Sequence, residues 1–169
     1  MRGVIMLCVA LFSPLGLAIT CFDEIDETTP TNRFIQYDNG TVRDNVTQLV
    51  WMRCAVGQSW DATNEQCSGD PTKYTWQGAL QYAHGLIYAD ARGWRLPNIK
   101  ELASLVERQC ARPSINIEVF DNTAADDYWS STPSLIELDA AWVVAFDSGS
   151  NALKDKQLAT YIRLVRIAN

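Results

Sequence analysis

The sequence predicts an α+β fold, with two helices packed on small antiparallel sheets and the whole stapled by disulfides. Three observations predict it. Short extended runs separated by turn signals fill residues 34–52. Two consecutive helical patterns then occupy residues 75–108, and extended runs return from residue 128 onward. Strands, then helices, then strands is not the alternation that a doubly wound α/β sheet requires. Four cysteines remain once the first twenty residues are set aside, an even number that suits two disulfides.

Those first twenty residues differ in kind. Arg2 precedes an apolar run from Val4 to Phe12, broken by Ser13-Pro14 and followed by small residues to Thr20. This is the pattern of a secretory signal peptide of bacterial style, residues 1–20, with cleavage expected between Ala18 and Cys21. The run is too short and too broken for a membrane span. The predicted organisation is therefore a signal peptide at 1–20, an N-terminal arm at 21–33, and a single domain at 34–169. The predicted location is periplasmic or secreted.

The full chain carries a formal charge of -6. Such an acidic balance argues against general binding to nucleic acid or to anionic membranes, and leaves room for a local basic patch. Of the cysteines, Cys54 and Cys67 bracket a polar, Gly-containing loop and are expected to pair. Cys21 then pairs with Cys110 and ties the arm down. A metal site built on cysteine is not indicated, since no Cys-x-x-Cys occurs and the sole histidine is His84.

Taken in order, Phe34 to Tyr37 reads as a strand, Asp38-Asn39-Gly40 as a hairpin turn, Thr41 to Arg43 as the return and Thr47 to Met52 as a third strand. Residues 54–73 form a disulfide-closed polar loop. Thr75 is the expected N-cap of a first helix running to about Leu86, which Gly78 and Gly85 weaken. The strongest local signal follows. In Trp94-Arg95-Leu96-Pro97-Asn98-Ile99-Lys100-Glu101-Leu102, Asn98 and Glu101 have capping-box spacing, and Pro97 holds Leu96 extended. The second helix is expected to end near Arg108 to Cys110, before Pro113. Residues 114–127 read as an irregular acidic loop. Tyr128 to Ser131 and Ala140 to Phe146 read as strands, 147–158 as a polar loop, and Tyr161 to Arg166 as a last strand expected to pair with the Phe34 strand.

These motifs together resemble the C-terminal domain family of the Legionella collagen-like protein. The resemblance rests on Asn39-Gly40-Thr41-Val42 with Asp44, Leu49-Val50-Trp51-Met52, and Tyr74-Thr75-Trp76 with Ala79-Leu80. It continues through Trp94 to Asn98 with Glu101-Leu102, Tyr128 to Ser131, Ala141 to Val144 with Phe146, and Tyr161 to Arg166. Gln48 stands where the family usually has Gly. The resemblance implies a C-type-lectin-like fold, related to formylglycine-generating-enzyme-type domains. It also implies a surface-exposed or exported ligand-binding module of adhesin type, a homo-oligomer that takes sulfated glycosaminoglycans.

Enzyme chemistry is not indicated by the residues. There is no Gly-x-Ser-x-Gly, His84 lies in a helix without a Ser or Cys partner, and no cysteine follows Cys110 to serve a formylglycine-type oxidase. No catalytic residue and no cofactor are therefore expected. Asp121, Asp126 and Asp127 are candidates to hold a hard cation such as Ca²⁺ together with loop carbonyls, although their spacing matches no defined Ca²⁺ loop. Trp60 is the expected exposed aromatic anchor, with Asp61 beside it and Asn122 in the acidic loop as further ligand-binding candidates. Trp129 and Trp142 are further platform candidates, with Trp51, Trp76, Trp94 and again Trp142 expected in the core. A local basic patch is expected around Arg92, Arg95, Lys100, Arg163 and Arg166. The partner is expected to be a glycan or a protein at the cell surface.

Overall fold

The structure, a computed structural model, describes residues 19–168. The signal-peptide prediction lies almost wholly outside the described residues. A short strand, β1 (Thr20–Cys21), opens the described chain. A hairpin and its neighbour follow as β2 (Phe34–Gln36), β3 (Thr41–Asp44) and β4 (Leu49–Met52). The disulfide loop contains its own hairpin, β5 (Ser59–Asp61) and β6 (Gln66–Ser68). Helices α1 (Trp76–Ala83) and α2 (Ile99–Ala103) come next. The chain closes with β7 (Cys110–Ala111), β8 (Asp127–Pro133), β9 (Ala140–Ala145), β10 (Ser150–Asp155) and β11 (Val165–Ile167). Every named strand pairing is antiparallel. One sheet has the order β11-β4-β3-β2, a second β10-β9-β8, and β1-β7 and β5-β6 are two-stranded ribbons.

The apolar run of β4 is explained by its burial on both faces. Leu49 and Trp51 enter a core with Phe34, Leu102, Phe120, Tyr128, Phe146 and Val165. Val50 and Met52 point the other way, to Trp94, Leu96, Trp129, Ile162 and Leu164. Strand β9 does the same with Val143 and Val144. A strand covered on both sides reads as a continuous hydrophobic run, which is how both appear in the sequence.

Both predicted disulfides are present, Cys21–Cys110 and Cys54–Cys67. The capping box is also present: Asn98 Oδ1 accepts from Glu101 N at 2.9 Å, and Glu101 Oε2 accepts from Asn98 N at 2.8 Å. Thr75 caps α1 through Gly78 N. Trp51 and Trp94 are buried as expected, while Trp76 and Trp142 are half-buried.

Four expectations are corrected. The last strand does not pair with the Phe34 strand: β11 pairs with β4, and β2 pairs with β3 on the opposite edge. The central hairpin takes up both. Helix α1 stops at Ala83, short of Leu86, and Gly85 adopts φ +79° two residues later. Helix α2 is only five residues long. After it, Leu105 and Val106 make i→i−3 bonds, and Glu107 N turns away to Ser114 O at 3.1 Å. Half of the polar stretch 147–158 is β10, whose polarity follows from its place on an exposed sheet edge.

The N-terminal arm is held by a buried carboxylate. Glu107 Oε1 accepts from Thr28 N at 3.0 Å and Gln109 N at 2.9 Å, and Oε2 accepts from Thr29 N at 2.7 Å and Thr29 Oγ1 at 2.8 Å. Burial alone would raise this carboxyl; the donated bonds outweigh it and hold it below its ordinary value.

Candidate functional site

The hairpin turn between β2 and β3 sets the site. Gly40 lies at φ +78°, a conformation glycine takes without strain. Its carbonyl accepts from Arg53 N at 2.9 Å, which brings the end of β4 under the turn. A side chain at Gly40 would meet Trp60, with a Cβ only 2.7 Å from the indole Cγ. The turn is therefore packed directly against the disulfide hairpin β5-β6.

Trp60 is fixed from two further directions. Its Nε1 donates to Asp38 O at 2.8 Å, and the Arg53 guanidinium lies 4.1 Å from its ring centroid. Arg53 is itself buried. Its Nε donates to Val119 O at 3.0 Å, and burial lowers its pKa, opposed by the nearby charges of Glu65 and Asp121. Gln36, Tyr37, Asp38, Arg53, Trp60 and Glu65 together line a cleft of about 250 Å³. The arrangement offers an aromatic wall, a cation at the floor, and an amide and two carboxylates at the rim. Such a set can pack against the apolar face of a ring and hydrogen-bond hydroxyl groups.

Of the predicted site residues, only Trp60 lines this cleft. It is half-buried rather than the solvated anchor expected, because Gly40 and Arg53 pack on it. Asp61 turns into its own loop, accepting from Thr63 N at 2.9 Å and Asn64 Nδ2 at 2.7 Å; these bonds hold its carboxyl below the ordinary value. Asp121 and Asn122 clamp the disulfide hairpin. Asp121 Oδ2 accepts from Cys67 N at 2.9 Å, and Asn122 Nδ2 donates to Cys67 O at 3.2 Å. Asp126 pairs with Lys73 at 2.7 Å and Asp127 with Lys154. No group of three metal-ligating side chains converges among the described residues, so nothing gathers Asp121, Asp126 and Asp127 around one cation.

Two members of the expected basic patch, Arg163 and Arg95, are consumed by the structure. Arg163 is 0% exposed and donates to the Met52 and Arg53 carbonyls and to Thr123 Oγ1 at 2.7 Å; burial lowers it to about 10. Arg95 forms a two-pronged pair with Glu101, both contacts 2.8 Å, and so completes the helix cap. Trp129 is 0% exposed and offers no platform. His84 is exposed at the end of α1. Sequence reasoning missed Arg53, Tyr37 and Glu65. The Asn39-Gly40 turn was the one signal that pointed to this corner, and it carried no hint of the hairpin packed on it.

Fold and site define a small α+β domain with few helices, several antiparallel sheets and two disulfides, with a compact cleft at one hairpin turn. The sequence model of the Lcl C-terminal domain family matches residues 40–166, and the chain belongs to that family. No curated protein and no solved structure matches the chain. Two disulfides are the mark of proteins that fold in an oxidising compartment. No helix among the described residues is long and apolar enough to cross a membrane.

Proposed function

We propose that the chain is an exported, non-enzymatic binding module, C-type-lectin-like in fold, that recognises a glycan at or outside the cell envelope in the manner of an adhesin. The observation that carries this reading is the Trp60 cleft: an immobilised indole, with Gln36, Asp38 and Glu65 beside it. An ordered aromatic wall gives a sugar ring apolar contact at little entropic cost, and side-chain amides and carboxylates then fix its hydroxyls. The leader-like first twenty residues and the two disulfides support a periplasmic or secreted location.

The test is a glycan array and a pull-down with oxidised residues 21–169, each run with and without Ca²⁺. Trp60→Ala and Glu65→Gln are expected to abolish or weaken the glycan signal while near-UV circular dichroism outside the Trp60 band is preserved. A glycan signal that both variants retain would overturn the assignment of the site. Turnover that depends on a metal ion would overturn the non-enzymatic reading.

A second reading, a protein-interaction or structural subunit of a surface assembly, including a homo-oligomer, is favoured by one observation. The loop between β8 and β9 presents Leu135, Ile136 and Leu138 at 91%, 92% and 76% exposure. The loop is stiffened, since Ser134 Oγ accepts from Ile136 N at 3.2 Å and from Glu137 N at 2.9 Å, and Lys156 Nζ donates to Leu138 O. A stoichiometric protein partner that is lost on Ile136→Asp, with no glycan bound, would establish this reading in place of the first.

A further inference from the structure

Behind the Trp60 cleft, the same hairpin borders a second pocket of different character. Arg43, Val50 and Arg166 are registered side by side across β3, β4 and β11. Registered neighbours project from the same face of a sheet, and two strand spacings put the two arginine backbones about 10 Å apart. Both side chains line one pocket of about 240 Å³, together with Tyr37, Asn39, Thr41 and Val50. No carboxylate lines it among the described residues.

The two arginines are short of acceptors. The ion pairs among the described residues involve Arg33, Lys73, Arg95 and Lys154, and neither Arg43 nor Arg166. Arg43 donates through Nη2 to the Gln48 side chain, and Arg166 donates through Nη1 to Ile167 O at 3.1 Å. Among the described residues the Nε atoms of both also lack a partner but are buried, so Arg43 Nη1 and Arg166 Nη2 are the donors left for a ligand. Arg166 is held in place over the Trp94 ring, 5.6 Å from its centroid. Two positioned guanidinium groups with unused donors, in a chain of net charge -6, make a local site for one negative group. The small volume suits one such group and not a run of sulfates.

We infer that the Arg43–Arg166 pocket binds a single carboxylate, carried by one residue of an acidic glycan whose neighbouring sugar lies in the Trp60 cleft across the edge of the hairpin. Tyr37 lines both pockets and joins them. The inference rests on the glycan reading above and narrows it to sugar acids. No bond is made or broken; the carboxylate supplies the acceptors that the guanidinium donors lack.

The test uses oxidised residues 21–169 and isothermal titration with an oligogalacturonate, compared with the same oligomer after methyl esterification, which removes the charge and keeps the rings. The free acid is expected to bind about tenfold or more tightly than the ester. Arg43→Gln and Arg166→Gln are each expected to reduce binding of the acid to the level of the ester and to leave the ester unaffected. Arg92→Gln, at an exposed position away from the pocket, is expected to leave the preference unchanged. Equal binding of acid and ester, an equal loss in Arg92→Gln, or competition by inorganic sulfate stronger than by acetate would each overturn the inference. The two readings fail separately. Ester binding that Trp60→Ala removes, without any preference for the acid, sinks only the carboxylate site. Acid binding that needs the arginines but ignores Trp60→Ala keeps the carboxylate site and sinks the glycan cleft.

Discussion

Replacing Glu107 with Gln isolates what the arm contributes to stability. Glu107 is 3% exposed and ties Thr28, Thr29 and Gln109 to one carboxylate. Glutamine keeps the shape, but one oxygen becomes an NH₂ group. On the Oε2 side, Thr29 N and Thr29 Oγ1 then lose their acceptor. The hydroxyl can rotate; the Thr29 N–H cannot, and Thr29 is 1% exposed. An unsatisfied buried donor costs about 1–3 kcal/mol, and the surviving bonds lose their charge assistance. The expected total is about 2–4 kcal/mol, or a fall in Tm of about 5–12 °C for a domain of this size. The sign with pH follows from the depressed carboxyl. Its contribution is full above the ordinary value of 4.5 and is lost as pH falls through the lower folded value. The gap between wild type and Glu107→Gln should therefore be widest near neutrality and close in acid. Thermal denaturation from pH 7 down to pH 3 measures this, and amide exchange at Thr28 and Thr29 localises it. A loss below about 0.5 kcal/mol at pH 7, the size of an ordinary surface change, would refute the reasoning.

Asn98→Ala removes the acceptor for Glu101 N and should cost about 1 kcal/mol in a urea melt, with glycan binding intact. If binding is lost at unchanged stability, the capped segment is itself a recognition site. Gly40→Ala forces a side chain into φ +78° and onto Trp60, and should destabilise the fold by about 1–3 kcal/mol. The same variant should shift Trp60 fluorescence and weaken glycan binding, whereas Gly85→Ala, with open space around it, should affect stability alone.

Local rules made much of the fold legible. The capping box at Asn98, the Asn39-Gly40 turn and the apolar runs of β4 and β9 depend on residues within a few positions of one another, and the structure has them where the sequence does. What failed was long-range. Nothing local says that β11 joins β4 and leaves β2 on the far edge, because both strands carry similar short apolar patterns. The polarity of 147–158 was read as a loop when it marks an edge strand, which needs only one covered side.

The site was the hardest part to read, for the same physical reason. Charge on a side chain advertises function in a sequence, but most of the charged candidates here are consumed by structure. Arg163 meets backbone carbonyls inside the core, Arg95 completes a cap, Asp121 holds a hairpin, and Asp126 and Asp127 are neutralised by lysines. Arg43 and Arg166, which enter no ion pair among the described residues, are 123 positions apart in sequence and meet only because β4 lies between them. Trp60 is likewise made part of a cleft by Gly40, a residue whose only local signature is a turn. A binding corner assembled from a turn, a disulfide hairpin and two sheet neighbours has no spacing rule. Its residues become recognisable once the register is known, and that register is what ties the carboxylate pocket to the aromatic cleft through Tyr37.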